Sequence, residues 1–338
     1  MHDIVLIPGD GIGPEITASV TKILDTASAD INWVETIAGE TAYEKKGNPL
    51  PDEVLELIRK HKIALKGPLT TPVGTGFRSV NVALRKEFNL YANIRPAKTL
   101  PNVPGPFTYV DLVMFRENTQ GLYIGEERWI GEGKQKAESI AVVTREASER
   151  IIRAAFEYAQ KQGREKVTLI HKANILKMTS GLFLEVGRQL APDYPDIKFE
   201  DLIVDNTAMQ MVIHPERFDI MVTTNLFGDI LSDLASGLVG GLGVTGAANI
   251  GDEYAMFEAV HGSAPDIAGK NLANPIALLF SAIMMMEHIG EQEVADRVRF
   301  AVMEVLANHK DACTRDIGGK GTTTTFTNAV CMVLEDKF

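Results

Sequence analysis

The chain has 338 residues, with 34 Lys and Arg against 45 Asp and Glu and a formal charge of −11. No nucleic-acid or membrane partner is expected of such a surface, because both attract basic patches. An apolar fraction of 45% and a charged fraction of 23% exclude disorder.

At roughly 150 residues per domain the length accommodates two domains, each with its own core. Cys313 and Cys331 are too few for a disulfide framework or a zinc site, and they suit a reducing compartment. Met1 leads almost at once into Ile4-Val5-Leu6-Ile7, without a basic leader. The most apolar stretch, Ile276 to Met286, is broken by Ser281 and falls short of the ~18 to 20 residues of a bilayer span. A cytoplasmic location is therefore expected.

Short β-branched runs alternate with amphipathic stretches, which predicts an α/β architecture. The first half of the chain gives a strand at Asp3–Ile7, helices at Pro14–Ala27 and Asp52–Lys60, and strands at Ile63–Lys66, Val110–Phe115 and Ser139–Thr144. Next come a helix at Arg145–Gln162, a strand at Val167–Ile170, a helix at Ser180–Leu190 and a strand at Asp219–Thr223. Helices at Asp229–Leu238, Pro275–Ile289 and Glu291–Asn308 complete the series. Pro14, Pro51 and Pro275 mark helix starts, and Gly163 and Gly290 mark stops.

Two stretches break the pattern, the Pro-dense Leu100–Pro106 and the Gly-rich Gly237–Gly251. If the chain crosses between domains there, residues 1–96 and 242–338 form a large domain and 97–241 a smaller one. Gln120–Lys136 has charges and glycines but little periodicity, which suggests a projecting arm over about residues 120–140.

Two glycine loops fail the motifs they suggest. Pro8-Gly9-Asp10-Gly11-Ile12-Gly13-Pro14 has proline where the dinucleotide fingerprint requires its third glycine. Gly318-Gly319-Lys320-Gly321 has Thr314 at the first glycine of a P-loop and Gly321 in place of its Ser/Thr.

The charged residues are more informative. Asp229 and Asp233, four apart, share one helix face near its start, and a hard divalent cation would relieve their repulsion. A solvated acidic face is the plainer reading of that spacing. Asp205 ends the apolar strand Leu202-Ile203-Val204, where catalytic residues of α/β proteins tend to sit, although taken alone an ordinary loop or cap aspartate is the plainer reading. Arg85, Arg95 and Arg116 lie near element ends, and together they suit a substrate with several carboxylates; separately they would be surface ion pairs. Lys172 after the strand Val167–Ile170, and Tyr123, are residue types that transfer protons. His171, His214 and His261 show no zinc spacing.

Several ordered blocks then coincide. They are the Pro8–Pro14 turn, Lys66-Gly67-Pro68-Leu69-Thr70-Thr71-Pro72, Leu90–Pro96, Arg116-Glu117-Asn118-Thr119 and His171-Lys172-Ala173-Asn174. Asn225–Asp233 and His261-Gly262-Ser263-Ala264-Pro265 complete the set. In these blocks the chain resembles the decarboxylating β-hydroxyacid dehydrogenases, the isocitrate/isopropylmalate dehydrogenase family, and within it the NAD-dependent isocitrate dehydrogenases. The resemblance spans nearly the whole chain. It implies a two-domain, non-Rossmann α/β fold with a short dimer clasp arm, and a homodimer whose active sites are shared between subunits. Arg85, Arg95 and Arg116 would bind substrate carboxylates. Asp229 and Asp233, with Asp205 of the partner subunit, would hold Mg²⁺ or Mn²⁺. Lys172 of the partner subunit would assist removal of the hydroxyl proton, and Tyr123 would protonate the enol.

The same resemblance addresses substrate and cofactor. Relatives acting on isopropylmalate place apolar residues where this chain has Ser79 and Asn81, and those two polar side chains suit the extra carboxylate of isocitrate. Homoisocitrate and 3-isopropylmalate dehydrogenation are the alternatives, together with a non-catalytic regulatory subunit of a hetero-oligomeric enzyme. Thr71, His261, Gly262, Ser263, Ala264, Pro265, Asp266, Ile267 and Asn274 are expected to bind the cofactor. An Asp266 carboxylate accepts from ribose hydroxyls and repels a 2′-phosphate, so NAD is expected rather than NADP.

Overall fold

Runs such as Val113-Met114-Phe115 and Ile220-Met221-Val222 are apolar on both strand faces and fully buried, which places them inside a sheet covered by helices on both sides. The computed structural model describes residues 1–72 and 76–338. The chain begins with β1 (His2–Ile7), α1 (Gly13–Thr26), β2 (Ile31–Glu35), α2 (Glu40–Lys46), α3 (Asp52–His61) and β3 (Ile63–Lys66). Next come α4 (Val80–Glu87), β4 (Ala92–Lys98), β5 (Asp111–Glu117), β6 (Glu127–Ile130), β7 (Lys136–Ser139) and α5 (Arg145–Gln162). Then follow β8 (Lys166–His171), α6 (Thr179–Leu190), β9 (Lys198–Ile203), α7 (Val204–Ile213), β10 (Ile220–Thr223) and α8 (Asn225–Leu238). The last elements are β11 (Gly246–Ile250), β12 (Ala255–Ala259), α9 (Ile276–His288), α10 (Gln292–Asn308) and α11 (Thr323–Lys337).

Ten strands form one sheet in the order β2-β1-β3-β12-β11-β4-β5-β10-β8-β9. It consists of two parallel blocks, β2-β1-β3-β12 and β5-β10-β8-β9. Antiparallel β11 and β4 join them, so the two blocks run in opposite directions. This mixed sheet is not the doubly wound order of a dinucleotide fold, in keeping with the failed glycine spacing. β6 and β7 form a separate hairpin. Helices α5 and α6 cover the second block, while α9 packs between β11, β12 and the pair α1 and α10. Helix α9 buries residues around its whole circumference, which explains its uniformly apolar sequence. Burying each Leu or Ile there contributes about 1.5–3 kcal/mol. Among the described residues no helix is long and apolar enough to cross a membrane.

Four local expectations are corrected. Ser139–Thr144 is not a strand: β7 ends at Ser139, Val142 makes one isolated bridge to Gly121, and Thr144 caps α5 by accepting from Ala147 N. Asp205 lies in the first turn of α7 rather than at a strand end, because the chain turns helical directly after Ile203. Helix α8 starts at Asn225, which moves Asp229 one turn inside it. Arg95 sits in the middle of β4, not near an element end.

Candidate active site

Strand β5 lies beside β10, and the chain leaving β10 becomes α8, so Arg116 on β5 meets the first turns of that helix. Gly228 allows the approach, since a Cβ there would stand 2.6 Å from Arg116 Cγ. Arg116 Nε donates to Asn225 Oδ1 at 2.9 Å, and Nη1 donates to Asp229 Oδ1. The guanidinium lies 5.0 Å from the centroid of the Tyr123 ring, and Tyr123 Oη donates to Asp229 Oδ2 at 2.5 Å. Arg95 Nη1 donates to Ser232 Oγ at 2.7 Å and to Asp233 Oδ1 at 3.3 Å, and Arg95 Nη2 stands 3.7 Å from Asp229. Helix α4 supplies Arg85, and its N-cap Ser79 accepts from Val82 N at 3.4 Å.

The three arginines are close enough to repel. Burial lowers the pKa of Arg95, and the charge on Arg85 lowers it further. Arg116 is lowered to about 10, first by burial and then by Arg95 and Arg85. Arg116 Nη2, Arg85 Nε and Asn81 Oδ1 are buried without a partner among the described residues. Crowded cations with unused buried N–H groups make a site for a polyanion. Burial would raise the pKa of Asp229, but Arg116, the Tyr123 hydrogen bond and Arg95 outweigh it and leave it lowered. Tyr123 is raised by burial and by its bond to Asp229, so it keeps its proton at neutral pH.

Beneath the arginines runs a buried network that sequence reasoning missed. Glu258 Oε1 accepts from Arg85 Nη2 at 3.0 Å and from Asn249 Nδ2 at 2.8 Å, and Glu258 Oε2 stands 2.7 Å from Lys66 Nζ. Asn249 accepts from Asn93, which in turn accepts from Arg95 Nε at 2.7 Å. The available signal was a single charge inside each of two apolar runs, Ile63-Ala64-Leu65-Lys66 and Ala255-Met256-Phe257-Glu258. Burial alone would raise Glu258, yet Lys66 and Arg85 hold it well below the usual carboxylate range. A depressed carboxylate stabilises the fold above its unfolded pKa, and this is lost as pH falls through the folded one. Melting temperature is therefore expected to drop on acidification below about pH 4.5. In Glu258→Gln the acid slope should be shallower, with about 3–5 kcal/mol lost at neutral pH because Lys66 and Arg85 remain buried. Thermal melts at several pH values measure both effects.

The loop 261–267 packs on the first turn of the chain. Ile12 N donates to Ser263 O at 2.8 Å, and Ser263 Oγ and Thr70 Oγ1 are 2.9 Å apart. A Cβ on Gly11 would stand 2.0 Å from Ser263 O, so glycine is required there. His261 Nε2 is buried without a protein partner among the described residues, and Gly262 faces open space, which fits a bound ligand along this loop. Ala264 has a left-handed φ of 39°, Pro265 and Asp266 are exposed, and Ile267 packs on the core. Thr71 is exposed at the edge of the described residues. Asn274 is engaged within the protein, donating to Asp316 and accepting from Ile276 N.

Lys172 and Asp205 form a separate pair, with Lys172 Nζ donating to Asp205 Oδ1. Among the described residues no three His, Cys, Asp or Glu side chains are grouped to hold a metal. Asp229 and Asp233 both face Arg95, and Asp205 is paired elsewhere. Around the Lys172–Asp205 pair and on α8 the surface is apolar: Met209, Val212, Ile213 and Ile230 are all exposed, as are Ile175 and Met178.

The family model for isocitrate/isopropylmalate dehydrogenase matches residues 3–330. A crystal structure of isocitrate dehydrogenase from Methylococcus capsulatus is 56% identical, with a TM-score of 0.96 over 99% of both chains. Isocitrate dehydrogenase [NAD] catalytic subunit 5, mitochondrial, of Arabidopsis thaliana is 50% identical over 96% of this chain and 87% of its own. A regulatory subunit of isocitrate dehydrogenase [NAD] from Dictyostelium discoideum, likewise named mitochondrial, is 48% identical over 97% and 90%. The expectation of a cytoplasmic location is not supported, since both of these relatives are named mitochondrial. Location is set by targeting segments and not by the composition of the folded body, so composition was a poor guide. The chain belongs to the isocitrate/isopropylmalate dehydrogenase family of enzymes.

Proposed function

We propose that the chain oxidatively decarboxylates isocitrate to 2-oxoglutarate and CO₂ with NAD as hydride acceptor and Mg²⁺ or Mn²⁺ as the metal. The carrying observation is the convergence of Arg85, Arg95 and Arg116 beside Asp229 and Tyr123. The arginines would orient the carboxylates, with Ser79 and Asn81 reading the one that isopropylmalate lacks. Asp229 and Asp233 offer only carboxylate oxygens, a donor type that suits a hard divalent cation, and Asp205 of the partner subunit would complete the set. The metal, when bound, supplies positive charge that eases loss of the hydroxyl proton and stabilises the enolate after CO₂ departs. NAD, when bound, takes up the hydride. Lys172 of the partner subunit would draw off the hydroxyl proton. Tyr123, protonated at neutral pH, would return a proton to the enolate carbon.

The shared site rests on the apolar face of α7 and α8, which a second copy of the chain would cover to form a homodimer. The β6–β7 hairpin would serve as its clasp. We also infer that residues 1–96 with 242–338 act as one domain and 97–241 as the other. The two parallel blocks support this division, since each falls wholly within one of these segments.

NADH formation by the singly purified, chelator-treated chain is expected to be negligible and to return with Mg²⁺ or Mn²⁺. The relative named as a regulatory subunit favours one rival, a non-catalytic subunit, which would stay inactive alone with every metal. A panel of isocitrate, homoisocitrate and 3-isopropylmalate separates the remaining alternatives. Asp266→Ala is expected to lower the NAD-to-NADP ratio of kcat/KM by about tenfold or more, the value of hydrogen bonds to a charged group. An unchanged ratio would remove Asp266 from cofactor choice.

A further inference from the structure

Alternation along β4, β11 and β12 gives the middle of the sheet two different faces. Asn93, Arg95, Asn249 and Glu258 join the buried polar network on one side. Ile94, Ala248, Ile250 and Phe257 line a cavity of about 580 Å³ on the other. Helices α9 and α10 bound it with Ile283, Met284 and Met303, and α5 bounds it with Tyr158. The volume falls within the roughly 300–1,000 Å³ of small-molecule sites. Ile94 and Ile250 pack against two separate cores, one containing α9 and α10 and the other α5 and α6. The cavity thus lies on the seam where neither helix layer covers the sheet.

Its rim carries four cations, and carboxylates engage three of them. Lys98, Lys161, Arg164 and Arg299 line it, with Glu287 the one carboxylate among the described lining residues. Lys98 is held by Asp111, Arg164 by Asp111 and Asp219, and Arg299 by Glu287 and Asp296. Lys161 is exposed and makes no ion pair among the described residues. It stands near His288, whose ring packs against the floor residue Phe257 with centroids 5.6 Å apart.

We propose that this seam cavity is a second binding site, separate from the arginine cluster, for a small amphipathic carboxylate. The apolar tail would lie on the Ile94–Phe257–Met284 floor and the carboxylate would pair with Lys161. A polycarboxylate does not suit it, because further charges would be buried against apolar side chains. A neutral hydrocarbon would leave Lys161 unpaired. The proposal does not depend on the reaction assigned to the arginine cluster.

Calorimetric titration of the full chain with decanoate, and with decanol as the uncharged control, tests it. Decanoate is expected to bind once per chain, about threefold or more tighter than decanol, and to remain bound under saturating isocitrate. Lys161→Glu should weaken decanoate by about fivefold or more and leave decanol unchanged. Met284→Trp, which fills the floor, should abolish both; if that variant fails to fold, Lys161→Glu decides alone. Absence of decanoate binding, equal affinity for decanol, displacement by isocitrate, or decanoate affinity unaltered by Lys161→Glu would each overturn the assignment.

Discussion

Replacing Tyr123 by Phe is expected to lower kcat by about 10²- to 10⁴-fold, and KM for isocitrate with it, because a late step becomes limiting. The ring remains in place beneath Arg116, so that guanidinium keeps its packing. Only the hydroxyl is lost, and with it the proton that burial and Asp229 hold on the wild-type residue. If Tyr123 acts after hydride transfer, as proposed, the variant should give a rapid burst of NADH approaching one equivalent per site, followed by slow turnover. Stopped-flow absorbance reads both phases. A wild-type kcat would exclude Tyr123 from proton transfer, and a lost burst would place its role before the hydride step.

The parts of the fold that were legible in the sequence are those whose pattern is local. β3 falls on its predicted residues, and α5 runs from Arg145 to the left-handed Gly163 as expected. Strands β4 and β11 were missed because their reason for existing is each other: Ile94 pairs with Ala248 across a long stretch of chain, while Pro96 in one and Gly246 with two alanines in the other argue locally against strands. The convergence of Arg85, Arg95 and Arg116 is likewise a product of α4, β4 and β5 meeting, which no spacing encodes. Gly228 is informative only after the fact, because the contact it permits is with Arg116 on a distant strand. Lys66 and Glu258 were visible as charges in apolar runs, but their pairing required the parallel register of β12 on β3, where Glu258 stands opposite Lys66. The site residues were nameable through family resemblance, while the geometry linking them was not. Resemblance assigned Lys172 and Asp205 to the site from the partner subunit, and within one chain they form a pair of their own.

That separation makes the second large prediction a complementation experiment. Tyr123→Phe and Lys172→Ala are each expected to be inactive alone, at about 10⁻² to 10⁻⁴ of normal turnover. If Tyr123 of one protomer works with Lys172 of the other, a dimer containing one of each variant has one doubly damaged site and one intact site. Denaturing and refolding an equal mixture makes about half the dimers mixed, so about a quarter of wild-type activity should return. If each site were built within a single chain, both sites of a mixed dimer would still lack one group and nothing would be regained. Size-exclusion chromatography confirms that dimers have reformed, which separates failed assembly from failed complementation. A second control uses the apolar face itself. Ile230→Asp on α8 should shift the protein to monomer by burying a charge in the proposed interface. That monomer should lose activity even though every arginine and carboxylate of its own cluster is intact, and retention of activity would show the site to be complete within one chain.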